Sequence, residues 1–252
     1  MTTSPILVET DGPVRTITIN RPDKRNAVDR PTADALRQAF QAFEDDDNVS
    51  VAVLTGAGDK AFSAGNDLKY TAQGGKGTAP PTGFAGLSSR FDLEKPIIAA
   101  VNGFAMGGGF ETALSCDILL AADTATFALP EVKVGLFAAA GGVQRLSRYI
   151  GRKPALEIML TGRHVSAEEG KALGFLNQVV PQAELMDAAM KKAEEICAVS
   201  PSSVKATKRV LNRLDEMEQL KESLAHSREV IEQLRHTEDF KEGVTAFLEV
   251  FG

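Results

Sequence analysis

The stretch Lys95–Glu111, KPIIAAVNGFAMGGGFE, constrains this chain more than any other. The apolar run Ile97 to Val101 reads as a buried strand, because a strand covered on both faces needs no polar alternation. Asn102-Gly103 supplies a turn, and Gly107, Gly108 and Gly109 then run into Glu111 and the helix-like segment TALSCD. Glycine permits positive φ and close approach of the backbone to a ligand, and the first amides of a helix have no intrahelical acceptor. The stretch therefore sets free donors beside an acid. Two readings of it stand: a site where N–H groups and a carboxyl meet a ligand, or a tight turn in which Glu111 complements a helix dipole.

The flanking segments suggest what surrounds it. Val14 to Asn20 alternates Thr with Ile as a strand does and leads into the turn-rich RPDKRNAVD, an edge strand feeding a functional loop. Ala33, Leu36, Phe40 and Phe43 recur at helical spacing, and Val51 to Thr55 is again strand-like. Strand, helix, strand in that order implies a crossover unit of an α/β fold. Residues 73 to 86, QGGKGTAPPTGFAG, are too rich in Gly and Pro for a regular element and read as a lid or a plain surface loop. Ile118 to Ala122 and Ala125 to Leu129 are two more strands, the second ending at Pro130-Glu131, and a loop of small residues then feeds a helix near Gly142. Ser166 is placed to cap a short helix that Gly174 stops, and LNQVV is a last strand closed by Pro181. Beyond it, Leu185 to Val199 and Val204 to Leu234 carry helical spacing, and Phe240, Val244, Phe247, Leu248 and Phe251 form one stripe. Such a tail covers the core or a neighbouring subunit, with the subunit contact favoured.

Several chemistries lack their signatures. With 28 Lys+Arg against 34 Asp+Glu the chain shows no basic footprint for nucleic acid. No apolar run is long enough for a membrane span, and MTTSPILVET carries no targeting pattern, so a cytoplasmic protein is expected. Cys116 and Cys197 offer neither a disulfide framework nor a metal pair, and His164, His226 and His236 have no metal-ligand spacing, so no metal site is expected. The three glycines do not complete G-x-G-x-x-G, Gly74-Gly75-Lys76 is not a phosphate loop, and G-x-S-x-G is absent. Two acids remain, Glu111 and Glu131, each at the end of a strand beside glycine-rich backbone. Two carboxyls converging on one water divide the work of acid and base, because like charges in a confined site push their proton affinities apart. Spacing alone does not show that they converge.

The segments AFSAGNDLK, KPIIAAVNGFAMGGGFETALSCDILLAAD, FALPEVKVG and AGGVQRLSRYIG, in that order, resemble the enoyl-CoA hydratase/isomerase (crotonase) family, with agreement from about Ile17 to Phe247. FSAGNDLK, GGGFE and FALPE are most similar to its carnitinyl-CoA dehydratase branch. The resemblance implies an α/β fold, a crotonase-like spiral of ββα units over residues 1–195, with a C-terminal helical trimerisation region over 196–252 that gives a homotrimer or a dimer of trimers. It implies that the amides of Asn66 and Gly108 form an oxyanion hole for a thioester oxygen, and that Glu111 and Glu131 are the two catalytic glutamates of a hydro-lyase. Coenzyme A would be met by Lys24 and by Ala64, Asp67 and Leu68 around the adenine, as part of an acyl-CoA substrate, with no prosthetic group. Two departures stand out: Phe137-Ala138-Ala139-Ala140 replaces a more usual I-P-G-A before Gly141-Gly142, and the C-terminus lacks a basic E-K-R, for which Lys241 is a candidate substitute. A 3,2-trans-enoyl-CoA isomerase and a catalytically silent acyl-CoA-binding homologue are the competing readings.

Overall fold

The computed structural model describes residues 4–75, 79–212, 222, 224, 228–233 and 235–251. Strands β1 (Ile6–Asp11) and β2 (Val14–Ile19) form an antiparallel hairpin. Helix α1 (Arg30–Asp45) follows, and β3 (Val51–Gly56) returns parallel to β2, the crossover that the element order implies. Asp29 starts α1 by accepting the Thr32 amide at 3.0 Å, and Pro31 occupies a first-turn position where a missing N–H costs nothing. Leu36, Phe40 and Phe43 line its buried face, each contributing roughly 1.5–3 kcal/mol by leaving water. At its other end the fully buried Lys95 sends Nζ to the carbonyls of Phe43 and Asp46, at 2.9 and 2.7 Å. A cation there satisfies orphan carbonyls and complements the dipole.

Three ββα units come next. β4 (Ala61–Ser63) and α2 (Leu68–Ala72) follow β3; β5 (Ile97–Val101), β6 (Phe104–Met106) and α3 (Gly108–Leu114) form the second; β7 (Ile118–Ala122), β8 (Thr126–Ala128) and α4 (Gly142–Ile150) the third. In each unit the first strand joins one sheet and the second strand joins another. Thus β3, β5 and β7 are parallel neighbours in a six-stranded sheet of order β1-β2-β3-β5-β7-β10, where β10 is Gln178–Val180, and β4, β6 and β8 are parallel neighbours in a four-stranded sheet ending in β9, Val165–Ser166. This alternation is the spiral. Helix α5 (Arg152–Thr161) leads to β9 (Val165–Ser166), and α6 (Ala167–Leu173) to β10 (Gln178–Val180). Ser166 caps α6 through the Glu169 amide, and Gly174 ends it at φ 97°. Helix α7 (Leu185–Cys197) packs across β3, β5 and β7, α8 (Pro201–Asn212) follows, and α9 (Glu238–Phe251) lies against α2 and the 3-10 turn Pro130–Val134 of its own chain.

The structure corrects several expectations. The strand Val14–Asn20 is not at the edge: β1 is, and its pattern of one buried residue followed by five exposed ones leaves no alternation to read. The three-residue β6 lies between Gly103 and Gly107, too short to signal itself. Helix α3 begins at Gly108 and stops at Leu114, so Ser115, Cys116 and Asp117 lie beyond it. In the loop 73–86, residues 76–78 fall outside the described set, but Gly83 to Gly86 are buried, because Phe84 packs against Gly108 and the following backbone against α1. Helix α5 carries no clean stripe: Leu156 and Leu160 are exposed beside buried Ile158 and Met159. Of the tail stripe, Phe240, Val244 and Leu248 are half-buried, while the side chains of Phe247 and Phe251, like His226 and most of 213–227, lie outside the described residues.

Candidate active site

The site residues gather at the carboxyl ends of three adjacent parallel strands of the smaller sheet. β4 delivers Ala64-Gly65-Asn66, β6 delivers Gly107-Gly108, and β8 delivers Pro130-Glu131. Open parallel sheets characteristically bind ligands at these ends. Here the register puts Met106 beside Ala128, and the Gly107 amide bonds the Ala128 carbonyl at 2.9 Å, so the second and third ends stay in step.

Asn66 pairs with Val28 in an isolated parallel bridge, made by Val28 N–H to Gly65 O (2.7 Å) and Asp67 N–H to Val28 O (3.0 Å). In such a bridge the central residue turns its own amide away from the partner strand. On that far side lies the start of α3. Gly65, at φ +83°, comes so near that an added Cβ would stand 2.6 Å from the Met106 carbonyl and 3.0 Å from the Gly108 nitrogen. Any side chain at position 65 would force the two loops apart. Neither the Asn66 nor the Gly108 amide has an acceptor among the described residues. The buried Asn26 secures the arrangement: its side chain accepts from Arg21 N–H and donates to Ala57 O and Ala61 O, and its carbonyl receives the Ser63 hydroxyl, which in turn accepts the Gly65 amide.

Glu111 sits in the first turn of α3, only 3 % exposed. Its neighbour Phe110 is locked in an aromatic cluster with Phe127 and Phe175, centroids 5.1 Å away in each case, which fixes the helix rotation. Oε1 of Glu111 accepts the Gly142 amide at 2.9 Å, and the nearby Ala140 amide also favours the ionised carboxyl. Burial pushes its pKa up to about 7, against the opposing pull of those two amides and of the Arg145 charge. Glu131 approaches Gly107, whose φ of +52° and missing side chain leave room: a Cβ there would lie 3.0 Å from Glu131 Oε1. Its other oxygen, Oε2, is buried with no partner among the described residues. Burial first, and then the charge of Glu111, hold the Glu131 carboxyl well above the ordinary range. The two acids therefore interact, and the charge of one opposes ionisation of the other.

At the rim, Lys24 ends a 3-10 turn, Pro22–Lys24, with its side chain 62 % exposed and Nζ 3.7 Å from Asp67. Asp67 is buried, caps α2 through the Tyr70 amide and pairs with Arg21 at 2.9 Å. Burial raises its proton affinity, but the Tyr70 amide, Arg21 and Lys24 outweigh this and hold the carboxyl below the usual range. Leu68 opens α2, half-buried, and the Ala64 amide is taken by Arg25 O at 2.9 Å. The residues singled out in the sequence thus come together: Asn66, Gly108, Glu111 and Glu131 at or just past the strand ends, Ala64, Asp67 and Leu68 on the loop beside them, and Lys24 on the neighbouring turn that meets Asp67. The replaced loop Phe137–Ala140 still aims an amide at Glu111. Sequence reasoning missed Asn26 and Arg145. Asn26 stood only as one residue of a turn-rich run, and Arg145 only as part of a resembling motif.

A ββα spiral with unpaired amides and two interacting buried acids at its strand ends is the crotonase-like arrangement. The sequence model described as enoyl-CoA hydratase/isomerase matches residues 9–251, and the chain belongs to that family. A curated carnitinyl-CoA dehydratase of Salmonella agona (strain SL483) is 44% identical over 95% of this chain and 93% of the relative. Among solved structures, a carnitinyl-CoA hydratase from Mycobacterium avium superposes with a TM-score of 0.93 at 42% identity, covering 98% of this chain and 97% of the other. An enoyl-CoA hydratase/isomerase from Pseudoalteromonas atlantica T6c gives 0.89 at 30% identity, covering 98% of both chains.

Proposed function

We propose that this chain is a hydro-lyase that adds water to a 2-enoyl-CoA thioester or removes it from a 3-hydroxyacyl-CoA, with the carnitinyl-type acyl group as the first to try. The observation that carries the reading is the pair of interacting buried carboxyls, Glu111 and Glu131, next to two unpaired amides. The names of the relatives support the same reaction class.

In this reading the thioester oxygen receives the Asn66 and Gly108 amides. Addition of water builds enolate charge on that oxygen, and one such fixed donor is typically worth about 3 kcal/mol of barrier. Ionised Glu111 takes a proton from water as its oxygen bonds the β-carbon, and protonated Glu131 gives its proton to the α-carbon. The pair ends with the proton on Glu111, and its return to Glu131 resets the site. Elimination is the same path reversed. Lys24 and the loop Ala64 to Leu68 hold the coenzyme A portion, which belongs to the substrate; no prosthetic group takes part. The core over 1–195 self-associates through the region 196–252 as a homotrimer or dimer of trimers.

Loss of the conjugated thioester absorbance reports water addition by the wild type and by Glu111→Gln. The reading expects steady hydration by the first and a fall of about a hundredfold or more in the second. Activity within a few fold in Glu111→Gln would favour the isomerase, which needs one carboxyl, and no hydration of any enoyl thioester by the wild type would favour a silent binder.

A further inference from the structure

Arg145 has no role in the reaction as written, yet it is a cation only 5 % exposed and in no ion pair among the described residues. A buried charge without a carboxylate partner is costly, and such a group is retained where something else uses its field. Its Nη2 donates to the Ser88 carbonyl at 2.8 Å, its Nη1 reaches the Ala140 carbonyl at 3.5 Å, and its guanidinium lies 6.0 Å from the centre of the Phe91 ring. The short loop Ala140 to Gly142 is thus held at both ends: Arg145 reaches the Ala140 carbonyl, and Glu111 accepts the Gly142 amide. Ser88 belongs to the segment whose Phe84 packs on Gly108 and donates its amide to the Ser88 hydroxyl at 2.8 Å. The guanidinium lies tucked under the loop, since a Cβ at Gly141 would fall 2.0 Å from Nη1.

We propose that Arg145 is a positioning residue: it braces the Ala140 to Gly142 loop, whose Gly142 amide holds Glu111, and its buried positive charge beside that loop favours the carboxylate form of Glu111. This rests on the hydro-lyase reading for its catalytic consequence only. Glu111 feels the charge of Arg145 and acts on Glu131; Arg145 in turn meets the charge of Glu111 from α3, Tyr149 and Arg148 from its own α4, and Cys116 just past α3. Tyr149 and Cys116 are held neutral by burial at ordinary pH, so Glu111 is the anion that Arg145 serves. An opposite charge at such range lowers a carboxyl pKa; removing it raises the pH at which Glu111 ionises.

The test compares Arg145→Gln and Arg145→Lys in the full chain. An infrared titration follows the Glu111 carboxyl, assigned by the band lost in Glu111→Gln, and needs no substrate. In Arg145→Gln the Glu111 titration, and the acidic limb of kcat with it, should move up by about one pH unit or more, with KM changed by less than about threefold. Arg145→Lys keeps the charge but not the fork, so its titration should stay within about half a unit of wild type while amide exchange at Gly142 quickens and kcat falls several-fold. An unshifted Glu111 titration in a folded Arg145→Gln overturns the proposal, since a merely structural role would lower activity evenly across pH. Should Arg145→Gln not fold, Arg145→Lys decides: unchanged exchange at Gly142 overturns the proposal. If the wild type hydrates no thioester, the hydro-lyase reading fails while the titration still judges Arg145.

Discussion

Replacing Glu111 with Gln separates the cost of burying this carboxyl from its chemistry. Its pKa is about 7 in the fold against 4.5 for an ordinary glutamate, a difference of 7 − 4.5 = 2.5 units. At about 1.36 kcal/mol per unit this is about 3 kcal/mol. Because the folded value is raised, the full stability is present below the ordinary pKa and is lost as pH rises through about 7, where the native state must accept a buried negative charge. Glutamine never ionises, and its Oε1 can still accept the Gly142 amide. Wild type and Glu111→Gln should therefore be about equally stable near pH 4, and the variant more stable by up to about 3 kcal/mol at about pH 9. That corresponds to a melting temperature higher by roughly 6–12 °C for a chain of this size. Urea titrations at the two pH values measure the difference. A stability gap that is the same at both, or a variant weaker at high pH, would refute the claim that burial strains the ionised Glu111.

Other perturbations follow from the same contacts. Glu131→Gln should lower kcat by about a hundredfold to ten-thousandfold with little change in KM, measured by steady-state hydration, because it removes the proton that reaches the α-carbon. Lys95→Met strips two charge-assisted bonds from the carbonyls that end α1 and should cost about 2–4 kcal/mol by chemical denaturation, while the intact site keeps its activity per folded molecule. Ser166→Ala removes the cap of α6 and should cost about 1 kcal/mol in the same experiment, far from the site.

Much of this molecule was legible in its sequence where one segment decides its own structure. Ile97 to Val101 had to be a buried strand, Phe40 and Phe43 had to face a core, and Ser166 with Gly174 bracketed a helix to the residue. What depends on distant partners was not. β1 is a strand because β2 pairs with it, not because its exposed residues alternate, and Gly83 to Gly86 are buried because Phe84 finds Gly108 across the fold. The site divides in the same way. Glycines beside an acid were visible at 107–111, but that Gly65 would bring the Asn66 loop against the Gly108 nitrogen, or that Gly142 would donate to Glu111, follows only from the staggered strand ends. Arg145 and Asn26 show the limit most clearly: each acts through backbone carbonyls and amides, which carry no mark in the sequence.

The central claim is geometric: two amides hold one oxygen while two acids hold one water. A crystal structure of the chain with a 3-hydroxyacyl-CoA bound tests it most directly. The account predicts the thioester oxygen within about 3.1 Å of both the Asn66 and Gly108 nitrogens, and the 3-hydroxyl between the carboxyls of Glu111 and Glu131. A thioester oxygen bound away from those amides, or a hydroxyl that meets neither acid, would contradict it.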